Sequence, residues 1–376
     1  MTTLSPDQKP LSKIKKKSIP GIFDTDVHAS VRQGVTLDYL PKRFRDAYRY
    51  KSKKHGILNF DKRGGGARAD IDPAGVFCSK TIREVILDPY EIQLALITGT
   101  DYDDSCYADL ELCSAVASAN NTAYIENLVS QDPAFLGCIR INMNDPDAAV
   151  SEIERWAKNP RVAAIITSTA SAETPGSKRY DPIFRAAENA NLVIAYHTTQ
   201  EGRGVTPPPS SAGYPSRYIE YHSGLATSVI GHAASLITNG VFANFPKLRV
   251  IYLEGGICWS LPLMWQLDAE WEQLRDEYPH LPEPPSHYLK NHIHFTTQPI
   301  EEPRRGRDLL LTYQQIGLDR NITFSTDYPH WDFDDPNFFL PQCFQESMRD
   351  DILWNNAANL FRERIPNIIS EIENTQ

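Results

Sequence analysis

The fold class this sequence predicts is α/β, a closed (β/α)₈ TIM barrel, and three observations predict it. Short runs of β-prone apolar residues recur along the chain, each apolar throughout rather than alternating with polar residues. Stretches with helical spacing separate them. Residues able to bind metal or move protons stand at the ends of several runs. Fully apolar strands alternating with helices indicate a parallel sheet covered by helices, and about eight of them suit a closed barrel better than an open sheet.

In order, the expected strands are Ile22 to Asp26, Leu94 to Thr98, Phe135 to Ile141, Arg161 to Ser168, Leu192 to His197, Arg249 to Glu254, His292 to Thr297 and Ile322 to Asp327. Helices are expected over Ala108 to Val129, from Asp145-Pro146 onward, over Asp181 to Ala190, as one long helix ending near Gly240, and over Trp259 to Glu277 and Arg304 to Ile316. Asp145 reads as an N-cap followed by proline at the first helical position. An open doubly wound sheet would show a glycine-rich phosphate loop after its first strand, and Asp26-Val27-His28-Ala29-Ser30 is nothing of that kind.

Residues 1–20 read as a basic flexible tail, with Lys13, Lys15, Lys16 and Lys17, and residues 21–376 as one barrel domain. Within it, 29–84 lacks strong periodicity. It reads as an insertion after the first strand that serves as a lid or an oligomer contact.

The chain has 376 residues, of which 41% are hydrophobic and 23% charged, a composition that excludes disordered and fibrous classes. A formal charge of -10 argues against a nucleic-acid partner. No apolar stretch is long enough to span a bilayer, which argues against a membrane partner. The six cysteines form no CxxC pair and read as free thiols, so a cytoplasmic location is expected.

In a barrel of this kind the active site lies at the C-terminal ends of the strands. Those ends carry Asp26 and His28, His197, Glu254, and Asp327 followed by Tyr328-Pro329-His330. Alternate residues of an extended segment point the same way, so Asp26 and His28 can reach one ion. Carboxylates crowded into a closed site repel one another, and a cation removes that cost. The expected metal ligands are therefore Asp26, His28, His197 and Asp327, with Glu254 as a fifth. Asp327, Glu254 and His330 are the expected groups for proton transfer. Such an oxygen-rich set suits Mn²⁺ or Fe²⁺ as well as Zn²⁺. Arg203, Tyr214 and Trp259 are candidates for substrate contact. His222 and His232 are candidates for a second metal, and their ten-residue spacing on a straight helix turns at most one of them inward.

At these residues the chain resembles the amidohydrolase superfamily, in the amidohydrolase-2 branch that contains aminocarboxymuconate-semialdehyde decarboxylase and the phenolic-acid decarboxylases. The resemblance rests on Asp24-Thr25-Asp26-Val27-His28, Ala195-Tyr196-His197, Phe245-Pro246-Lys247-Leu248 leading to Glu254-Gly255-Gly256, and Ser325-Thr326-Asp327-Tyr328-Pro329-His330. In that family the first motif usually carries two histidines, and Asp26 stands in place of the first. Glu254 stands where the decarboxylases usually have a histidine.

The resemblance implies a metal-dependent hydrolase or non-oxidative decarboxylase acting on a small carboxylated, aromatic or cyclic amide or lactone substrate. The segments Phe295 to Pro303 and Asp327 to Pro336 resemble the 2-aminoisobutyrate hydroxylase subgroup, which implies instead a dinuclear iron or manganese–iron hydroxylase. A third reading is a non-catalytic supporting subunit. The resemblance also implies a homodimer or an assembly with a homologous chain.

Overall fold

The computed structural model describes residues 19–49, 75–99, 108–199, 201–202 and 204–374. The basic tail up to residue 18, residues 50–74 of the insertion, Cys106 and Arg203 lie outside the described residues.

Eight parallel strands form one sheet in sequential order: β1 Ile22–Val27, β2 Ile92–Ile97, β3 Phe135–Arg140, β4 Val162–Ser168, β5 Val193–His197, β6 Val250–Leu253, β7 Ile293–Thr296 and β8 Ile322–Thr323. Every residue of β1, β3, β4, β5 and β6 is buried, because one face meets the barrel interior and the other the helices. That double burial explains why the runs read as continuously apolar. The register brings Ser168 of β4 beside His197 of β5, and His197 beside Leu253 of β6, so neighbouring strand ends finish at one rim.

The last strand differs from expectation. Regular pairing with β7 stops at Thr323, and residues 324–328 run beside β1 instead. Thr25 N donates to Phe324 O at 2.9 Å, Asp327 N to Asp26 O at 3.1 Å and His28 N to Tyr328 O at 2.7 Å. Side chains complete the seam. Thr25 Oγ1 lies 2.9 Å from Thr323 Oγ1, and the Asp24 carboxylate accepts from Thr326 N at 3.0 Å and from Thr326 Oγ1 at 2.5 Å. Burial pushes the Asp24 carboxyl up to about 7 against those hydrogen bonds. These contacts close the barrel where the ladder itself gives out.

The outer helices follow the sequence reading with one correction. Asp145 caps Pro146–Trp156, its carboxylate accepting from Ala148 N at 3.2 Å. The expected single helix ending near Gly240 is two helices, Tyr218–Ser223 and Leu225–Thr238, broken at Gly224. The break invalidates the straight-helix geometry used to compare His222 with His232. In the described part of the insertion, Gln33–Tyr39 and Lys42–Arg49 are helical, and Leu40 and Tyr48 pack on Val116 and Ala119 of the helix Leu110–Asn127. Among the described residues no helix is long and apolar enough to cross a membrane.

Candidate metal centre

The ends of β1, β5, β6 and the segment after β8 deliver their polar groups to one place. His28 Nε2 lies 3.0 Å from Asp327 Oδ1, 3.2 Å from Glu254 Oε1, 3.2 Å from His197 Nε2 and 3.5 Å from Asp26 Oδ1. His197 Nε2 is 2.9 Å from Glu254 Oε1 and 4.0 Å from Asp26 Oδ2. Two sets of donor atoms, each mutually within 4.8 Å, result: Asp26, His28, His197 and Glu254, and His28, Glu254, Asp327 and His330.

Local structure aims each group. Thr98 Oγ1, just past β2, donates to Asp26 Oδ1 at 2.6 Å. His28 Nδ1 donates to Gly99 O at 2.6 Å, which leaves the Nε2 lone pair facing the cluster. Glu254 and Asp327 both adopt left-handed backbone, at φ 55° and 57°, so each turns its carboxylate inward as the strand ends. His330 Nδ1 sits 2.7 Å from Asp327 Oδ1 and 3.7 Å from Glu254 Oε1.

The donor set fits a divalent cation. Asp26 is fully buried, and its Oδ2 finds no hydrogen-bond partner among the described residues. An ionised carboxylate oxygen stripped of water and partner is costly, and two imidazoles turned toward it with their Nε2 atoms are the usual complement of a metal. Electrostatics splits the other two carboxyls. Burial opposes ionisation of Glu254, but the adjacent imidazoles of His197 and His28 outweigh it and hold this carboxyl well below the ordinary range. Burial, reinforced by the Glu254 charge, pushes Asp327 up. For His330 burial works against protonation, and the adjacent Asp327 reverses it, so the imidazole is raised.

Of the residues read as candidates, Asp26, His28, His197, Glu254, Asp327 and His330 come together. His232 does not. It is buried in the layer between Leu225–Thr238 and the barrel wall, its Nδ1 2.9 Å from Tyr252 Oη and its ring centroid 4.1 Å from that of Tyr196. Tyr196 neighbours His197 on β5 and so faces outward, away from the centre. His222 Nε2 lies 3.1 Å from Asp332 Oδ2, and neither histidine belongs to the two donor sets.

Trp259 packs into the wall: its Nε1 donates to Gly255 O at 2.8 Å and its ring meets Phe295 with centroids 5.7 Å apart. Tyr214 lines a cavity with Ser210, Tyr221 and Ser228. The sequence reading missed Thr98 and Gly99. The only signal for them was their place at the end of a strand adjacent to β1.

The family model described as Amidohydrolase matches residues 97–362, more than two thirds of the chain. The chain belongs to the amidohydrolase family. A curated relative, the gamma-resorcylate decarboxylase of Polaromonas sp. (strain JS666 / ATCC BAA-500), is 24% identical over 298 residues, covering 74% of this chain and 85% of its own. Among solved structures, an amidohydrolase from Mycobacterium avium subsp. paratuberculosis K-10 superposes with TM-score 0.69 at 19% identity, covering 91% of this chain and 99% of that one. A dihydroxybenzoic acid decarboxylase from Polaromonas sp. JS666, solved with bound manganese and an inhibitor, superposes with TM-score 0.64 at 20% identity, covering 92% and 97%. This amidohydrolase thus shares the barrel of enzymes that hold manganese.

Proposed function

We propose that this amidohydrolase is a metal-dependent, non-oxidative decarboxylase of a small aromatic carboxylate, with Mn²⁺ or Zn²⁺ held by Asp26, His28, His197 and Asp327. The observation that carries the reading is the overlap at His28 and Glu254 of two donor sets, Asp26, His28, His197 and Glu254 with the partnerless Asp26 Oδ2, and His28, Glu254, Asp327 and His330. The similarity to gamma-resorcylate decarboxylase supports the choice of reaction over hydrolysis.

A bound divalent cation would supply electrophilic stabilisation of substrate oxygens. The chain's own residues supply the proton. Loss of carbon dioxide from an aromatic ring requires that the ring carbon bearing the carboxylate first accept a proton. The C–C bond then breaks, and its electron pair returns to the ring. His330, paired with Asp327 at 2.7 Å, is placed to hold that proton at the mouth of the centre. Glu254 Oε1 lies 3.2 Å from His28 Nε2 and 2.9 Å from His197 Nε2 and offers a further carboxylate oxygen to the same centre.

The test combines metal analysis with product detection. Protein reconstituted with Mn²⁺ should release carbon dioxide from 2,6-dihydroxybenzoate or a close ring analogue with about one metal per chain, and Asp327→Ala should lose both metal and turnover. Full turnover in Asp327→Ala would refute the ligand assignment. Metal-loaded protein that releases no carbon dioxide from any aromatic carboxylate would refute the reaction.

A further inference from the structure

The chain leaving β2 passes the end of β3 at a glycine whose side-chain space is already taken. Gly99 adopts left-handed backbone at φ +89°, and a Cβ there would lie 2.2 Å from Arg140 Nη2, with Cζ and Nε of the same side chain next at 3.3 and 3.8 Å. Real Cβ atoms essentially never come within 3.0 Å of such a neighbour, so the guanidinium occupies the place of the missing side chain. Arg140 is held where it is. Its exposure is 5%, and its backbone is fixed on both sides: Asn121 Oδ1 accepts from Arg140 N at 2.7 Å, and Asn121 Nδ2 donates to Arg140 O at 2.8 Å.

Strand alternation turns this arginine inward. A side chain at Gly137 would meet Ile125 and Tyr124 of the helix Leu110–Asn127 and Val129, so positions 137 and 139 face the helices and 138 and 140 face the barrel interior. The charges agree with that placement. Burial pushes the Cys138 thiol up, the Asp26 charge adds to the effect and the Arg140 charge opposes it, so both charges act on one stretch of the interior.

The same glycine holds a group of the metal centre. Gly99 O accepts from His28 Nδ1 at 2.6 Å, and that bond sets the direction in which His28 Nε2 faces Asp327, Glu254 and His197. Glycine has the widest backbone freedom of any residue, so a carbonyl carried by glycine keeps its aim only where a neighbour restrains it. The guanidinium lying against Gly99 is in place to do so.

We propose that Arg140 is a positioning residue for the metal centre: its guanidinium locks Gly99 in left-handed backbone, and the locked carbonyl holds His28 by Nδ1. The consequence for metal affinity rests on reading His28 as a ligand, whereas the hold on His28 exists with or without the ion.

Arg140→Met keeps the aliphatic stem and removes the guanidinium. In metal-free protein carrying isotope-labelled histidine, the His28 Nδ1 proton, identified by its absence in His28→Asn, should give a downfield imidazole resonance in wild type. In Arg140→Met it should move upfield or be lost to exchange with water. Mn²⁺ affinity in a chelator competition should fall about tenfold in that variant, the lower end of what an outer partner of a ligand contributes. Gly99→Ala supplies the coupling test. In wild type the added methyl meets the guanidinium, and affinity should fall by at least about tenfold; in Arg140→Met the space is open, and the same change should lower it by no more than about threefold, since the strain of alanine at this φ is common to both. If Gly99→Ala folds only in the Arg140→Met background, stability shows the same coupling; if it folds in neither, the His28 resonance in Arg140→Met decides alone. Equal losses in the two backgrounds overturn the lock, and so does an unmoved His28 resonance in Arg140→Met. A moved resonance with unchanged Mn²⁺ affinity leaves the lock standing and removes His28 from the ligands.

Discussion

His232 illustrates how burial decides what a histidine can do. Its side chain lies in an apolar layer with a single polar contact, to Tyr252, and burial lowers its pKa to about 3. The folded state therefore binds this proton less readily than the unfolded chain, whose imidazole titrates near 6.5. Stability from this group is fully present above about pH 6.5 and falls as the pH drops toward 3, by an amount on the order of a few kcal/mol. Urea unfolding midpoints measured across that window should fall with acid in wild type and fall less steeply in His232→Gln; identical slopes would show that the histidine is hydrated. Thr98 works at the same scale but on function. Its hydroxyl fixes Asp26 Oδ1, so Thr98→Val should weaken metal affinity by about 10- to 100-fold in a chelator competition while secondary structure is retained. Neither residue declares its role in the sequence: a histidine among apolar neighbours and a threonine after a strand are both common.

Among the helices, local rules were legible wherever a single side chain closes a local hydrogen bond. Asp145-Pro146 reads as a start and is one: the carboxylate takes Ala148 N, and its other oxygen accepts from Ser114 Oγ at 3.2 Å. Asp145→Ala should cost about 1 kcal/mol in chemical denaturation, with no effect on metal content. The break at Gly224 is not settled by glycine alone, since Gly231 in the same run leaves its helix unbroken, and the first segment docks on the loop after β8. Tyr218 Oη accepts from Trp331 Nε1 at 3.0 Å, and His222 meets Asp332. Those contacts join residues more than a hundred positions apart. Strand β8 shows the same limit: its apolar pattern continues to Asp327, yet its partner changes from β7 to β1 after Thr323.

At the scale of the molecule, closing the barrel and assembling the centre are one event, since the seam between β1 and the segment after β8 carries Asp26, His28 and Asp327 on its two sides. Metal binding to the folded form alone should then raise stability, by about 2.7 kcal/mol when free metal is a hundred times its dissociation constant. Thermal melts with chelator and with added Mn²⁺ should differ accordingly, and Asp26→Asn should suppress the difference; equal melting in both conditions would mean that the seam holds without the ion. What the sequence by itself determined is the alternation of buried strands with helices and the residue types at the strand ends, because each depends on a period of a few residues and on burial on both faces. Only the tertiary structure decided how the backbone turns Glu254 and Asp327 toward His28, and that His232 packs outside the centre against Tyr196 and Tyr252. Those outcomes depend on left-handed turns at Glu254 and Asp327 and on partners distant along the chain, and neither leaves a periodic trace in sequence.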